Sequence, residues 1–325
     1  MEILNNIRIG VLGGGVSFER EISLVSAEEA YKIFRKKNLN VTFIDISTRE
    51  ENKVKEIIRA NDIDLAFIAL HGEFGEDGKI QRILDDLGIA YTGSSSLASY
   101  LAMDKIVSKE IFIYGDIPTP AFKVYDATLH KNNLKACLLK NVKYPVVVKP
   151  FFSGSSFGIS IVRQEQDLQK ALDGALSLQS KVLLEDYIKG REFTVGILED
   201  RPLAVIEIIP KTEYFDFTTK YSDGLAEFVA PAKLKESLYN KIQVTALSAH
   251  KALGCRHFSR VDIRLGINDI PYVLEVNSIP GLTTHSLLPL SAKCCGINFD
   301  ELIIKMAYLA LNEKKYFKQV STISR

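Results

Sequence analysis

The 325-residue chain contains no tryptophan, three methionines and four cysteines, and its 41 basic residues exceed its 40 acidic ones by one. Without a surplus of either sign there is no global field to attract a polyanion, so nucleic acid is not an expected partner. Apolar runs are short. Residues 65–70 form one of six, against about 20 for a membrane span, so no membrane association is expected. Cys137, Cys255, Cys294 and Cys295 form no C-x-x-C pair, and adjacent cysteines bridge poorly. Four scattered thiols suit a reducing compartment, where they serve as small apolar side chains. The leading Met-Glu-Ile-Leu-Asn-Asn has neither the basic nor the apolar stretch of a secretory signal. The expectation is therefore a cytoplasmic protein. Disorder is excluded too, because 46 % hydrophobic and 25 % charged residues is globular usage. At about 150 residues per domain, the length implies two domains or a tight three-part unit.

The first third alternates strand and helix patterns. Short apolar runs over residues 7–12, 41–46 and 65–70 read as strands, and residues 19–37 as an amphipathic helix. Gly13-Gly14-Gly15 joins the first strand to that helix, the arrangement of a doubly wound α/β unit. Residues 97–113 carry a helical pattern, residues 144–150 a strand stopped by proline, and residues 159–162 and 182–185 two further strands flanking a helix over 164–178. A helix is expected over 233–253 and another over 299–312. Residues 260–265 and 272–276, joined by Gly266-Ile267-Asn268-Asp269, read as an antiparallel hairpin.

That hairpin carries the most chemistry. Alternation puts Arg260, Asp262 and Arg264 on one face, and Glu275 and Asn277 on one face of the partner strand. If the two faces coincide, three hard oxygen donors converge beside Arg260, a set that suits Mg²⁺ held together with substrate phosphates. A solvated strand face is an equal alternative on these residues alone, and the rigid polar turn from Ser278 to Ser286 favours a site. The loop Ser153-Gly154-Ser155-Ser156-Phe157-Gly158 follows Lys149 and could cradle phosphate with backbone N–H groups, though it is no Walker A loop. A flexible surface loop is the plainer reading. Gly13-Gly14-Gly15 has Phe18 where a dinucleotide fingerprint needs its third glycine, which argues against a nicotinamide cofactor. An anion or substrate group at the start of the following helix stays open. His71 ends a strand at a crevice position, while Glu76 and Asp77 read as helix caps. Lys220 and Tyr221 lie in an aperiodic polar and aromatic stretch that suits either a cover over a site or an exposed loop. His130, His250 and His257 have no evident partners.

In order along the chain, Gly14 to Ser23, His71-Gly-Glu-Phe-Gly-Glu-Asp-Gly, Met103-Asp104-Lys105, Lys149-Pro150, Gly190-Arg191-Glu192, Lys220-Tyr221, Arg260-Val261-Asp262, Glu275-Val276-Asn277 and Pro280 to Leu287 resemble the D-alanine–D-alanine ligase family of ATP-grasp enzymes. The resemblance spans about residues 7–311. It implies an ATP-grasp fold of α/β and α+β class preceded by an N-terminal doubly wound α/β domain. The parts are then 1–93 for the substrate-binding domain, 94–187 for the central subdomain, and 188–325 for the C-terminal subdomain with the metal site and a covering loop.

The implied activity is ADP-forming ligation of two D-alanines, through an acyl phosphate, for peptidoglycan precursor synthesis. By resemblance, Lys105 and Lys149 meet the ATP phosphates, Ser155 and Ser156 cover them, and Glu185, Tyr187, Ile188 and Glu192 receive adenine and ribose. Asp262, Glu275 and Asn277 resemble ligands of two Mg²⁺ ions, for which Mn²⁺ can substitute. Glu19 resembles the group holding the first D-alanine's ammonium, tied to Ser155 and Tyr221, with His71 alongside. Arg260 and the N–H of Gly281 resemble the oxyanion donors. Ser286 and Leu287 would meet the carboxylate of the second D-alanine, and Lys220 would reach phosphate or that carboxylate when its loop closes. The family also implies a homodimer built through the N-terminal domain, and Tyr221 favours an amine acceptor. The alternatives are a ligase with D-serine or another amino acid as second substrate, and a catalytically silent ATP-binding regulator.

Overall fold

Short runs of apolar and β-branched residues build three separate sheets, each covered by helices. The computed structural model describes residues 3–128, 142–154, 158–211 and 226–323, with side chains through residue 312. The first sheet uses β1 (Ile9–Gly14), β2 (Val41–Ile46), β3 (Leu65–Ile68) and β4 (Ala90–Tyr91), all parallel, in the order β2-β1-β3-β4. Every residue of β1 and β3 is buried, as parallel strands covered on both faces must be. The connections are α1 (Arg20–Lys36), α2 (Glu51–Ala60) and α3 (Lys79–Asp86). The last two go beyond the sequence expectation. α2 is mostly charged and buries only Val54 and Ile58, so its apolar signal is thin.

The helical stretch expected over residues 97–113 is two helices, α4 (Ser96–Met103) and α5 (Lys105–Tyr114). Asp104 divides them: extended at φ −79° and ψ 98°, it caps α5 by accepting from the N–H groups of Ile106 and Val107 at 3.0 and 3.1 Å. The break places Lys105 in the first turn of a new helix, with its own N–H bonded to the carbonyl of Phe151 at 2.9 Å.

The second sheet is antiparallel, with β5 (Phe122–Asp126), β6 (Val146–Pro150), β7 (Ser160–Val162) and β8 (Lys181–Asp186) in the order β5-β8-β6-β7. α6 (Glu165–Leu176) packs Leu168 and Leu172 onto Val146, Val148, Val182 and Leu184. The third sheet comprises β9 (Gly190–Leu198), β10 (Arg201–Pro210), β11 (Ala226–Val229), β12 (Phe258–Gly266) and β13 (Pro271–Asn277), antiparallel in the order β11-β10-β9-β12-β13. α7 (Glu236–Ala252) and α5 cover one of its faces, burying Ile242 and Phe112 against Phe193, Val261 and Val273.

The chain closes with α8 (Leu287–Cys294) and α9 (Phe299–Ile323), the latter longer than residues 299–312. Leu302, Ile303 and Met306 of α9 share a core with Ile9, Val11 and Phe67, so the end of the chain packs on the first sheet. No helix among the described residues is long and apolar enough to cross a membrane.

The expected hairpin is β12–β13, with Arg260 opposite Asn277 and Asp262 opposite Glu275. The next pair is Ile263 with Val273, so Leu274 is an extra residue. This bulge turns both Leu274 and Glu275 towards one cleft, the re-aiming that a bulge provides.

Candidate functional site

A cleft of about 740 Å³, counted to its open mouth, separates the second and third sheets. Alternation on β6 sends Val146 and Val148 into the core, leaving Val147 and Lys149 to the cleft. On β8 the same rule buries Leu184 and offers Glu185. Val147 pairs with Glu185 across the strands, so Lys149 stands diagonal to it, Nζ 2.7 Å from Oε1. Lys109 of α5, entirely buried, reaches the same oxygen at 3.1 Å. Burial favours the neutral acid at Glu185, but Lys109 and Lys149 outweigh it and hold its pKa below the usual carboxylate value. Burial pushes Lys109 down to about 8 against the pull of Glu185.

The opposite wall pairs its charges in the same way. Arg264 bonds the carboxylate of Glu192, donates from Nη2 to the Tyr187 hydroxyl at 3.1 Å and from Nε to the Ile188 carbonyl at 3.2 Å. Arg260 holds Asp262 with two hydrogen bonds of 2.9 and 2.8 Å, and the Thr194 hydroxyl and Asn277 amide donate to the same carboxylate at 2.7 and 3.2 Å. Val147, Ile159, Ile161 and Leu274 make an apolar slot between the walls.

Glu275 also borders a second, smaller recess with Glu76, Lys105, Gly154 and Asn277. Lys105 Nζ lies 3.3 Å from Glu275 Oε2 and donates to the Ser153 carbonyl. Beyond this recess, past the end of β3, His71 is buried with Nδ1 3.1 Å from the Ile279 carbonyl, Nε2 3.0 Å from Ser26 Oγ and Glu76 Oε1 3.5 Å away. Burial would lower its pKa, but Glu76 and Glu19 together raise it above 6.5. Glu19 is 8 % exposed at the start of α1. Two glycines make room for it. A Cβ at Gly72, whose φ is +74°, would lie 2.6 Å from Glu19 Oε2, and one at Gly154 would lie 3.0 Å from it. On the far side, Ser286 precedes α8 and its Oγ accepts from the Thr283 N–H at 3.0 Å, 3.0 Å from a Cβ built on Gly281. Leu287 opens α8 and is buried.

The structure thus gathers Lys149, Glu185, Tyr187, Ile188, Glu192, Asp262 and Glu275 on one cleft, with Lys105, Asn277, Glu19 and His71 continuing from it through Glu275 and Gly154. Ser155, Ser156, Lys220, Tyr221, His130 and Cys137 lie outside the described residues. Glu76 is a correction. Its carboxylate caps no helix but accepts the Gly72 N–H at 3.1 Å and borders the recess. Asp77 does serve its local turn, accepting from the Phe74 and Lys79 N–H groups. The Gly13-Gly14-Gly15 turn seats the Arg20–Asp45 ion pair, for a Cβ on Gly14 would meet Asp45 Oδ1 at 2.1 Å. His250 pairs with Ser259 at 2.7 Å, and His257 accepts the Gly93 N–H at 3.2 Å. Arg264, placed by the sequence on the polar face of the hairpin but given no role, lines the cleft, and Lys109, which lies behind Glu185, was not singled out. The only signal for Lys109 was its place one turn after Lys105 on a shared helix face.

The family model described as D-ala D-ala ligase C-terminus matches residues 113–307, and that described as D-ala D-ala ligase N-terminus matches residues 47–94. A D-alanine–D-alanine ligase of Trichlorobacter lovleyi is 45 % identical over 94 % of this chain and 95 % of its own length. Among solved structures, the D-alanine–D-alanine ligase of Bacillus anthracis complexed with ATP superposes with a TM-score of 0.82 at 36 % identity, covering 96 % of this chain and 99 % of that one. The VanG D-Ala:D-Ser ligase of Enterococcus faecalis does so with 0.81 at 29 % identity, covering 94 % and 99 %.

Proposed function

This chain belongs to the D-alanine–D-alanine ligase family, and from that premise we propose that it joins two D-alanines in an ADP-forming reaction for peptidoglycan precursor synthesis. Its fold is that of the ATP-grasp ligases. The observation that carries the reading is the hairpin pair Asp262–Glu275, because Glu275 borders both the cleft between the sheets and the recess leading to Glu19 and His71.

The chemistry assigns each group a task. A carboxylate repels nucleophiles, so ATP first phosphorylates the carboxylate of one D-alanine to an acyl phosphate. The apolar slot takes the base, Glu185 and the Tyr187–Ile188 segment meet its edge, and Glu192 accepts from the ribose hydroxyls. Lys105 and Lys149 set their charge against the phosphates. Asp262, Glu275 and Asn277 are hard oxygen donors, and among the described residues no three acids, histidines or cysteines are placed to hold a metal ion by themselves. Such a set fits Mg²⁺ that completes its coordination with phosphate oxygens. Bound there, two Mg²⁺ or Mn²⁺ ions would neutralise charge on the transferred group. Glu19 receives the ammonium of the first D-alanine, beside His71. The amine of the second D-alanine then attacks, and Arg260 with the Gly281 N–H faces the tetrahedral oxyanion where its charge develops. Ser286 and Leu287 receive the second carboxylate. Ser155, Ser156, Lys220 and Tyr221 enter this proposal by family resemblance alone, and a homodimer through the first sheet completes it.

Release of ADP and phosphate with ATP, Mg²⁺ and D-alanine, together with the dipeptide by mass and silence with L-alanine, is the expected result. The likeness to a D-Ala:D-Ser ligase favours D-serine as the rival acceptor. A mixed D-alanyl-D-serine product formed faster than the homodipeptide would transfer the assignment to it. Tight ATP binding with no turnover on any amino acid would leave a regulator.

A further inference from the structure

We propose that Lys109 sets the base selectivity of the cleft by acting as the dedicated counter-ion of Glu185. This inference rests on the reading of the cleft as a nucleotide site. Lys109 is a positioning residue, because it faces Glu185 and not the cleft.

The ammonium of Lys109 has two hydrogen-bond acceptors and one ion-pair partner around it. They are Thr119 Oγ1 at 2.6 Å, the Pro120 carbonyl at 3.3 Å and Glu185 Oε1 at 3.1 Å. Thr119 is held in turn by donating to the Val273 carbonyl at 2.9 Å, and the Phe122 ring lies 5.5 Å from the ammonium. The cation is entirely buried and its position is fixed from several sides. An ammonium so deep is costly unless its charge is used.

Lys149 and Lys109 both stand beside Oε1 of Glu185, and the carboxylate itself borders the cleft. With Lys109 balancing the carboxylate, the charge of Lys149 is available for phosphate. Glu185 meanwhile stays ionised and can only accept hydrogen bonds. An acceptor-only group at the base edge pairs with an exocyclic amine, as on adenine, and opposes a carbonyl oxygen, as on hypoxanthine. Removing Lys109 leaves a buried carboxyl with one cation fewer, which favours its protonated form. A protonated carboxyl donates, and a 6-oxopurine then becomes acceptable.

The test compares ATP with ITP in wild type, Lys109→Met, Glu185→Gln and the double variant, with thermal melts to establish folding. In Lys109→Met, KM for ATP is expected to rise about tenfold, the scale of one charge-assisted hydrogen bond. The ATP:ITP ratio of kcat/KM should fall by a similar factor, with KM for D-alanine unchanged. In the Glu185→Gln background, adding Lys109→Met should leave the ratio where it was, since both act through one group. If Lys109→Met does not accumulate as folded protein, Lys109→Gln removes the same charge with a donor retained and should show the same fall. A wild-type ratio in whichever folded variant is obtained overturns the inference, as does a further fall in the double variant. Failure of the wild-type protein to bind ATP at all would instead overturn the functional reading.

Discussion

The nucleotide cleft and the amino-acid corner are both dense in charge, but they neutralise it differently. Around the cleft four carboxylates have cations in contact: Glu185 with Lys109 and Lys149, Glu192 with Arg264, Asp262 with Arg260, and Glu275 with Lys105. At the corner, Glu19 and Glu76 flank one histidine, whose ring also bonds Ser26 and the Ile279 carbonyl, and Glu76 accepts the Gly72 N–H. The ligands explain the contrast. A nucleotide polyphosphate arrives with its own counter-ions, so the cleft must hold cations and anions ready to exchange partners. An amino acid brings one ammonium and one carboxylate, and the corner sets Glu19 and Glu76 around a histidine where the ammonium can be received.

Substitutions can break this contrast, and the largest effect belongs where the two regions meet. Glu275→Gln keeps a hydrogen-bonding side chain but removes a charge shared by cleft and recess. Turnover should fall on the order of a thousandfold with an unchanged melting profile. Near-normal ADP release would remove Glu275 from the metal set. Gly72→Ala acts on the corner alone, since the added methyl at positive φ collides with Glu19 and Ser17. Strain of about 1–3 kcal/mol predicts a rise of roughly ten- to a hundredfold in KM for the first D-alanine with KM for ATP preserved. A matched rise in both constants would mean that the regions are not separate. Arg264→Met is the reverse case. It frees Glu192 and the Tyr187–Ile188 segment, so KM for ATP should rise about fivefold while D-alanine is bound as before.

The smallest effect is spectroscopic. In Glu76→Gln the His71 pKa, followed by NMR, should fall from its raised position, because the carboxylate that offsets burial is gone. The sign carries to stability. A raised folded pKa gives His71⁺ a contribution complete below the unfolded value of about 6.5 and lost as pH rises through the folded one. Glu76→Gln should flatten that part of the stability profile, and an unaltered titration would mean that Glu76 does not set it.

Legibility in the sequence followed the same physical lines. β2 was readable as a short apolar run and the β12–β13 hairpin from its alternating polar residues and turn chemistry, and the structure meets the condition left open there by setting Asp262 opposite Glu275. α2 was hidden by its charge, and α8 by Pro289 in its first turn. The break at Asp104 was masked by apolar periodicity on both sides, although the Asp cap was in plain view. Lys109 was invisible for a deeper reason. A lysine on an amphipathic helix looks solvated until a second sheet and a third close over it. Glu76 failed in the opposite direction, since three neighbouring glycines suggested local turn duty when the carboxylate answers to a histidine five residues back in the chain.

The second sheet has its own core, built from Val146, Val148, Leu172, Val182 and Leu184, and shares no buried residue with the core behind β12 and β13. The cleft runs along the boundary between these two oil drops. Its walls can therefore part like the covers of a book, with no apolar interior exposed and no strand unpaired. The chain passes from one wall to the other between β8 and β9 through Tyr187, Ile188 and Lys189. The other cleft ion pairs each lie within one wall, whereas the buried Lys109–Glu185 pair joins α5 to β8 behind the cleft, so opening works against that pair. The stability of the molecule and the ease of its opening are thereby held in different residues, so either can change in evolution without disturbing the other.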